Sequence, residues 1–544
     1  MAAFMSGALT LPAAAAPTAE QLAQRLSTRY AGDRTGVCVQ AAYISPAGVV
    51  RGAFCAGTRR DAAPAANAVF EIGSVTKTMQ AALVAELVAE RGWSLDDPIA
   101  RHLPEGTVVP RQGERQITVR DLLTHRSALP PLPRMPAAPP DNPYSTLTPA
   151  LLLAALAEAP LSRPIGSQFE YSNFGAMLLS LAIARAHGAA SLETVLRERL
   201  WQPLGLRDAQ LNGAPAAGAP VAVGHEPGGK PTAAWTAHPQ LAGVGMVRAS
   251  LEDMVRYAQA HLGLLPGLPP AMPELLLATR RPLSPDMGMA WSVAQIGARL
   301  LRWHEGGTGG FSSLVMLDAP NREAVVILAD TALTDLGGLS DVARSLMNLP
   351  AGPLEPRREV PLAAELRDAL VGEYRIRVPG LPEGLPIRLW AEADKLMAQA
   401  QGQGAFELRL DSRGELYPVG LTARLRPRRE GERVVAFTWF QGGAALAAER
   451  EGSAPTLTAQ NPAWQDWAGE YALTAGFSLR VFERDGRLML QGSGQAAMAA
   501  EPAGTDAVEV RAVGAVLRFN REAGRVVSAT LHQRGQVMTG RKLP

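Results

Sequence analysis

Lysine is nearly missing from this chain. Only Lys77, Lys230, Lys395 and Lys542 occur among 53 basic residues, and arginine supplies the rest of the positive charge. Net charge is only +2, both signs are interspersed, and no basic run carries interleaved aromatics. That leaves nucleic-acid binding without an electrostatic footprint. Long apolar runs are also scarce. Beyond the N-terminus nothing approaches the ~20 apolar residues of a membrane span, and the stretch from Leu151 to Leu161 is too short. Two cysteines are too few for a thiolate zinc site, and neither His102 nor His125 has a second ligand at metal spacing. No metal or cofactor is expected. Hydrophobic content of 47% with 19% charged residues excludes a disordered or fibrous chain. A chain of 544 residues exceeds one core and implies about three or four domains.

The cysteines that are present form a candidate pair. Cys38 and Cys55 flank Ser45-Pro46-Ala47-Gly48, which has the residue order of a type I turn. Strand-like runs lie on both sides, Val37 to Ile44 and Val49 to Phe54. A two-residue loop would set the cysteines opposite each other, and a bulged Gly48 would shift the register by one. A hairpin disulfide formed in an oxidising compartment and two buried thiols both remain open. Residues 1–17 are alanine-rich and apolar and end in small residues, like an export signal, but they carry no basic residue. A periplasmic or secreted location is the expectation, with a disordered tail as the alternative.

From residue 18 to 350 strands and helices mix. Thr18 to Arg29 reads as a helix, and a longer helical pattern runs from Ser74 to Gly92 with Ala81, Val84, Leu87 and Val88 on one face. A proline-rich loop (Leu129 to Pro143) separates it from a helical stretch, Leu147 to Glu158. Strand-like runs return at Met289–Val293, Ala298–Trp303, Ser312–Leu317 and Ala324–Ala329. Strands at both ends with helices between predict one antiparallel sheet flanked by helices, an α+β domain. After Leu349 the composition shifts to short strands and turns. Leu370-Val371-Gly372-Glu373-Tyr374 recurs as Trp467-Ala468-Gly469-Glu470-Tyr471. The repeat predicts two small antiparallel barrels, residues 364–450 and 464–544, whose tyrosines pack inside. Residues 451–462 read as the linker between them.

Against this background, Ser74-Val75-Thr76-Lys77 stands out. With 24 serines and four lysines, a serine three residues before a lysine is expected about 0.2 times by chance. Lysine can lose its proton when buried, and arginine cannot. A serine at a helix start meets free backbone N–H groups, and a lysine one turn on reaches its hydroxyl. A helix cap with a surface lysine is the plain alternative. Phe169-Glu170-Tyr171-Ser172-Asn173 adds a Tyr-x-Asn group. A phenol beside an ammonium loses its proton more easily, so Tyr171 is a candidate base or relay, and Asn173 offers an amide. His304-Glu305-Gly306-Gly307 follows a strand expected to end at Trp303, and its glycines suggest close approach of backbone to a ligand or a flexible hairpin turn.

Ser-x-x-Lys, Tyr-x-Asn and His-x-Gly in this order resemble the serine penicillin-binding protein and class C β-lactamase superfamily. Supporting segments are Glu71-Ile72-Gly73, Asp121-Leu122-Leu123-Thr124-His125-Arg126-Ser127 and Gly243-Val244-Gly245-Met246. The resemblance covers residues 20–350, and two lipocalin-like barrels behind such a domain are similar in layout to bacterial D-aminopeptidase. It implies Ser74 as acylated nucleophile, Lys77 as base, and Tyr171 as the residue that protonates the leaving group or activates the deacylating water. It further implies Asn173, His304, Glu305 and Gly306 as substrate contacts, with an oxyanion hole from the backbone N–H groups of Ser74 and Gly307 on an edge strand. Where relatives place a hydroxyl, this chain has Glu305, which would repel a substrate carboxylate if it faced the cleft. The expectation is a serine hydrolase of small esters or D-amino-acid peptides and amides. A D,D-carboxypeptidase or weak β-lactamase, or an inert scaffold, are the alternatives. His102 and His125 are expected to be loop or core residues.

Overall fold

The computed structural model describes residues 16–543 except 58–62, 162, 213–219, 335, 379–380, 382, 432, 442–443, 452–461, 475–476, 485–486, 494–497, 504–505, 511–514, 523 and 534–535. The export-like residues 1–15 and most of the expected inter-barrel linker lie outside this set. The chain forms two compact units, residues 1–449 and 450–544.

The first unit is built on a six-stranded antiparallel sheet made from both ends of its hydrolase-like part. Its order is Gly48–Cys55, Cys38–Ser45, Glu323–Ala329, Ser312–Asp318, Arg299–Gly307 and Ser292–Ile296. The central strands are apolar on both faces because both faces are covered. Leu314, Met316, Val325 and Ile327 pack under the helices Ala19–Tyr30 and Leu339–Leu346. Val315, Leu317, Val326 and Leu328 pack into the larger core with Met254, Val255 and Ala258 of helix Leu251–His261. Thr18 caps the first helix with a reciprocal capping box through Gln21, which accounts for its start.

The hairpin closes with Pro46 and Ala47 alone between paired Ser45 and Gly48, so Cys38 faces Cys55 in register and the two are joined by a disulfide. The helix Thr76–Glu90 is buried on all sides from Thr76 to Leu87, not along one face as the spacing suggested. It is packed among the helices Met272–Arg280, Asn173–Ala186 and Leu192–Leu196, so every side needs an apolar or satisfied residue. The strand expected at Met289 begins only at Ser292, because Ala290 takes a left-handed turn (φ 58°) and Met289 N–H donates to Thr279.

An eight-stranded barrel follows, from Gly372–Ile376 to Ala444–Arg450, closed by pairing of its first and last strands and of Phe406–Asp411 with Leu416–Pro418. Closure removes the sheet edges. Buried Arg357 ties this barrel to the sheet domain. Its Nη1 donates to Asp411 and Glu415, both at 2.8 Å, and its backbone N–H donates to Asp33.

The second unit holds the repeated barrel, Gly469–Thr474 to Gln536–Lys542. Residues 498–502 pair with Arg487–Gly492 through their first half and with Ala507–Val510 through their second, so the barrel is nearly closed. The repeat is visible at atomic level. Tyr374 donates to the Leu370 carbonyl at 2.9 Å, and Tyr471 donates to the Trp467 carbonyl at 2.7 Å. Both tyrosines are fully buried in their barrels.

Candidate active site

Ser74 sits in a single 3-10 turn, Gly73–Val75, immediately before the buried helix Thr76–Glu90. It is the one residue between 68 and 87 that is not buried. It does not cap the helix, whose N-cap Val75 has no side-chain bond, so the hydroxyl is left for chemistry. Three glycine backbones converge on this turn. Gly73 has φ 49°, and a Cβ there would lie 2.5 Å from Gly307 N. A Cβ on Gly306 would lie 2.0 Å from the Ile72 carbonyl, and one on Gly245 would lie 3.6 Å from Ser74 N. Ser313 fixes the same contact by donating to the Ile72 carbonyl at 2.7 Å. Gly306 and Gly307, expected at a close backbone approach to a ligand or in a hairpin turn, are strand residues that approach the serine turn. The strand runs on through Gly307, and Gly306 and Gly307 pair with Ser313 and Ser312. Gly306 lacks a side chain because the serine turn packs against it, and a Cβ on Gly307 would collide with Thr334. This strand is second from the edge, but its outer neighbour pairs only as far as Trp303, so residues 304–307 extend past that neighbour.

Lys77, one turn into the helix, donates to Ser74 Oγ at 2.9 Å and to the Val244 carbonyl. Burial pushes its pKa down to about 7, because a dry site disfavours the ammonium. Tyr171 lies with its ring centroid 5.1 Å from Lys77 Nζ. Its acidity moves opposite to the sequence expectation. Burial raises the phenol pKa, and the neighbouring Ser74 hydroxyl offsets only part of that rise. Burial, which also weakens the charge on Lys77, outweighs any help that lysine gives to ionisation of the phenol. Tyr171 therefore stays protonated and has a proton to give.

His304 is buried on the same side, its ring 6.3 Å from that of Tyr171. Burial, then the nearby Lys77, lowers its pKa to about 4, against the opposing effect of its bond to the Glu305 carbonyl. That bond, 2.6 Å from Nδ1, requires the proton on Nδ1, since a carbonyl only accepts. Nε2 is then a neutral acceptor. Glu305 does not join the site. It alternates to the face shared by Leu301 and Trp303, is exposed, and accepts from Ser340 Oγ at 2.7 Å on helix Leu339–Leu346. The expected repulsion of a substrate carboxylate by Glu305 is thereby corrected: period-two alternation points this side chain to the opposite face of the sheet.

Asn173 opens helix Asn173–Ala186 beside Tyr171. Its Nδ2 donates to the Tyr144 hydroxyl at 3.1 Å, and its buried Oδ1 has no hydrogen-bond partner among the described residues. The group it offers is thus an acceptor. Sequence reasoning missed Tyr144, which directly follows the proline-rich loop with no motif to mark it. Burial raises its pKa to about 12, and its ring meets Trp235 at 5.5 Å.

His125, expected as a core residue, is buried against the site. It takes a left-handed backbone (φ 54°) at the end of the short helix Val119–Leu123. Its ring lies 4.4 Å from that of Tyr171. His102, by contrast, is 3.0 Å from Asp97 and stacks on Trp93. Among the described residues no group of three or more His, Cys, Asp or Glu is arranged to hold a metal, and no helix is long and apolar enough to cross a membrane.

A family model described as Beta-lactamase matches residues 19–343. The chain is 30% identical over 200 residues to the D-alanyl-D-alanine-carboxypeptidase/endopeptidase AmpH of Escherichia coli (strain K12), across 37% of this chain and 50% of that protein. It is 27% identical over 318 residues to penicillin-binding protein 4 of Amycolatopsis lactamdurans, across 54% of this chain and 82% of that protein. The chain thus spans about half the length of the first of these curated relatives. A solved class C beta-lactamase shares the fold at 19% identity, with a TM-score of 0.50 over 61% of this chain and 96% of that one.

Proposed function

The chain belongs to the beta-lactamase family, and from that membership we propose a serine hydrolase that acts through an acyl-serine intermediate on small esters or on D-amino-acid-containing peptides and amides. One observation carries the reading: Lys77 Nζ lies 2.9 Å from Ser74 Oγ in a site that brings the lysine pKa to about 7. A base poised near the working pH is the efficient one. Lys77 takes the Ser74 proton as Oγ attacks the carbonyl carbon. The backbone N–H groups of Ser74 and Gly307 stabilise the oxyanion. Tyr171, held protonated, gives its proton to the leaving group as the carbonyl reforms and is reprotonated by Lys77; water then attacks the acyl-serine, its proton passing to Lys77 and from there to Ser74 Oγ as the acid is released. Asn173 Oδ1 accepts from an N–H of the acyl part.

The substrate range follows from charge. His304 is a neutral acceptor and Glu305 is turned away, so the side chains gathered here (Ser74, Lys77, Tyr171, Asn173 and His304) include no permanent cation to pair with a terminal carboxylate. Neutral esters and amides, or substrates with a donor for His304 Nε2, fit this wall better than a free C-terminal carboxylate. A D,D-carboxypeptidase is the second reading, favoured by the named activity of the Escherichia coli relative. Action outside the cytoplasm, in the periplasm or medium, accords with the Cys38–Cys55 disulfide.

The test is turnover of a p-nitrophenyl ester, a D-alanine anilide and a fluorescent penicillin beside a Ser74→Ala control. Ester and anilide turnover that disappears in Ser74→Ala is expected. Absence of any Ser74-dependent turnover or labelling would leave an inert scaffold, and preferential release of terminal D-alanine from a carboxylate-bearing peptide would favour the second reading.

A further inference from the structure

His125 is bound on two sides of Tyr171. Its carbonyl accepts from Glu170 N–H at 2.8 Å and its Nδ1 accepts from Ser172 N–H at 3.1 Å. The two bonds bracket Tyr171 in the chain. Because Nδ1 accepts from a backbone N–H, the ring proton of neutral His125 is on Nε2. That Nε2 is buried and has no partner among the described residues, and His125 is only 3% exposed. Beside it lies a small cavity lined by Lys77, Gln80, His125, Leu122, Ala176 and Leu179. Gln80 donates through Nε2 to the Ala176 carbonyl at 3.0 Å, which leaves its buried Oε1 without a partner among the described residues. A donor-bearing and an acceptor-bearing residue, each more than nine-tenths buried, thus line a space for about one water next to the candidate base. Buried polar groups in this state are normally satisfied by such a water.

We propose that this cavity is a binding site for one resident water, held between His125 Nε2–H and Gln80 Oε1, and that His125 is a positioning residue which sets both Tyr171 and, through that water, Lys77. The water accepts from His125 and from a Lys77 N–H and donates to Gln80. It serves the ammonium form of Lys77 more than the amine, since a hydrogen bond to a charged group is the stronger one. The titratable groups facing Lys77 are Tyr171, His125 and His304. Both imidazoles are kept neutral by burial first and by Lys77 next, so neither competes with the water as a charge. The catalytic meaning of the site rests on the acyl-serine reading, but its test does not.

Scarce lysine makes the measurement direct. With 13C-lysine at only four positions, the Lys77 resonance is the one missing from Lys77→Arg, and its titration is followed in the full-length protein. Wild type should titrate near 7. His125→Asn keeps an acceptor for Ser172 N–H and tolerates the left-handed backbone, but it removes the donor at the cavity. His125→Gln does the reverse. Gln80→Leu removes the acceptor. Loss of one charge-assisted bond should lower the Lys77 titration by about one pH unit in His125→Asn and in Gln80→Leu. The double variant should show no further shift, and His125→Gln should stay near wild type. Circular dichroism and thermal melts identify any variant that fails to fold, and the three single variants give independent readings. An unmoved Lys77 titration in folded His125→Asn or Gln80→Leu, or a shift in His125→Gln alone, would overturn the proposal. Absence of Ser74-dependent turnover with the shifts intact would instead remove the acyl-serine reading and leave the water site standing.

Discussion

Replacing Lys77 by methionine should make the protein more stable and inactive together. Lys77 is 3% exposed, and burial draws its pKa from 10.5 to about 7. An unfolded chain would titrate this group at ~10.4. Between those values the unfolded state holds a proton that the folded state has released, so stability rises with pH across this window. Below about pH 7 both states are protonated, and the folded state bears the whole penalty of a buried ammonium. At 1.36 kcal/mol per unit that penalty is about 5 kcal/mol, and it fades above pH ~10. Methionine fills the same space without charge. It removes the donor to Ser74 Oγ and the Val244 carbonyl, a loss of ~1 kcal/mol each. Lys77→Met should therefore exceed wild type by about 3 kcal/mol near pH 6.5. The advantage should shrink by ~1.4 kcal/mol per unit above pH 7.5 and cross zero near about pH 9. Urea denaturation of both proteins across this pH range measures the difference. A wild type that is the more stable at about pH 6.5, or a difference that does not move with pH, would refute the buried-base account.

Tyr171→Phe should slow the anilide by ~100-fold or more but the p-nitrophenyl ester far less, because nitrophenolate leaves without a proton; equal losses on both substrates would remove Tyr171 as the acid. Gly306→Ala should lower kcat/KM by ~100-fold with a stability loss of about 1–3 kcal/mol, since the new methyl would meet the Ile72 carbonyl at 2.0 Å; wild-type turnover in a folded variant would refute the close approach. Glu305→Gln should change the ratio of rates on neutral and carboxylate-bearing substrates by less than about threefold, as a group on the opposite face of the sheet has little differential contact with substrate; a tenfold gain for carboxylates would return Glu305 to the cleft.

Local chemistry was readable in the sequence wherever one rule governed it. The antiparallel sheet from both termini, the tight hairpin that sets Cys38 opposite Cys55 and the duplicated Gly-Glu-Tyr corner of the barrels all follow from short-range pattern. The central helix did not show its full burial, since periodicity reports one apolar face and says nothing of a second layer packed on the other. Tyr144 was invisible because its role comes from a loop folded back onto Asn173, a contact with no sequence spacing. His125 is buried as expected, but its bond to Ser172, 47 positions away, has no sequence spacing to mark it. Glu305 fell to a register error, since a strand that continues to Gly307 decides which face each residue takes.

The change in the expected acidity of Tyr171 has a wider consequence for how the site works. Lys77, Tyr171 and His304 are each pushed toward the uncharged form by burial first. Under the proposed acyl-serine reading no resting ion pair would have to be separated before Ser74 attacks, and charge would arise only as the proton moves from serine to lysine. Each neutral group then has one role left to it. The amine can accept, the phenol can donate, and His304 Nε2 can accept because Nδ1 is occupied by the Glu305 carbonyl. Arginine at position 77 would keep its charge under the same burial and so could not serve as the proposed base.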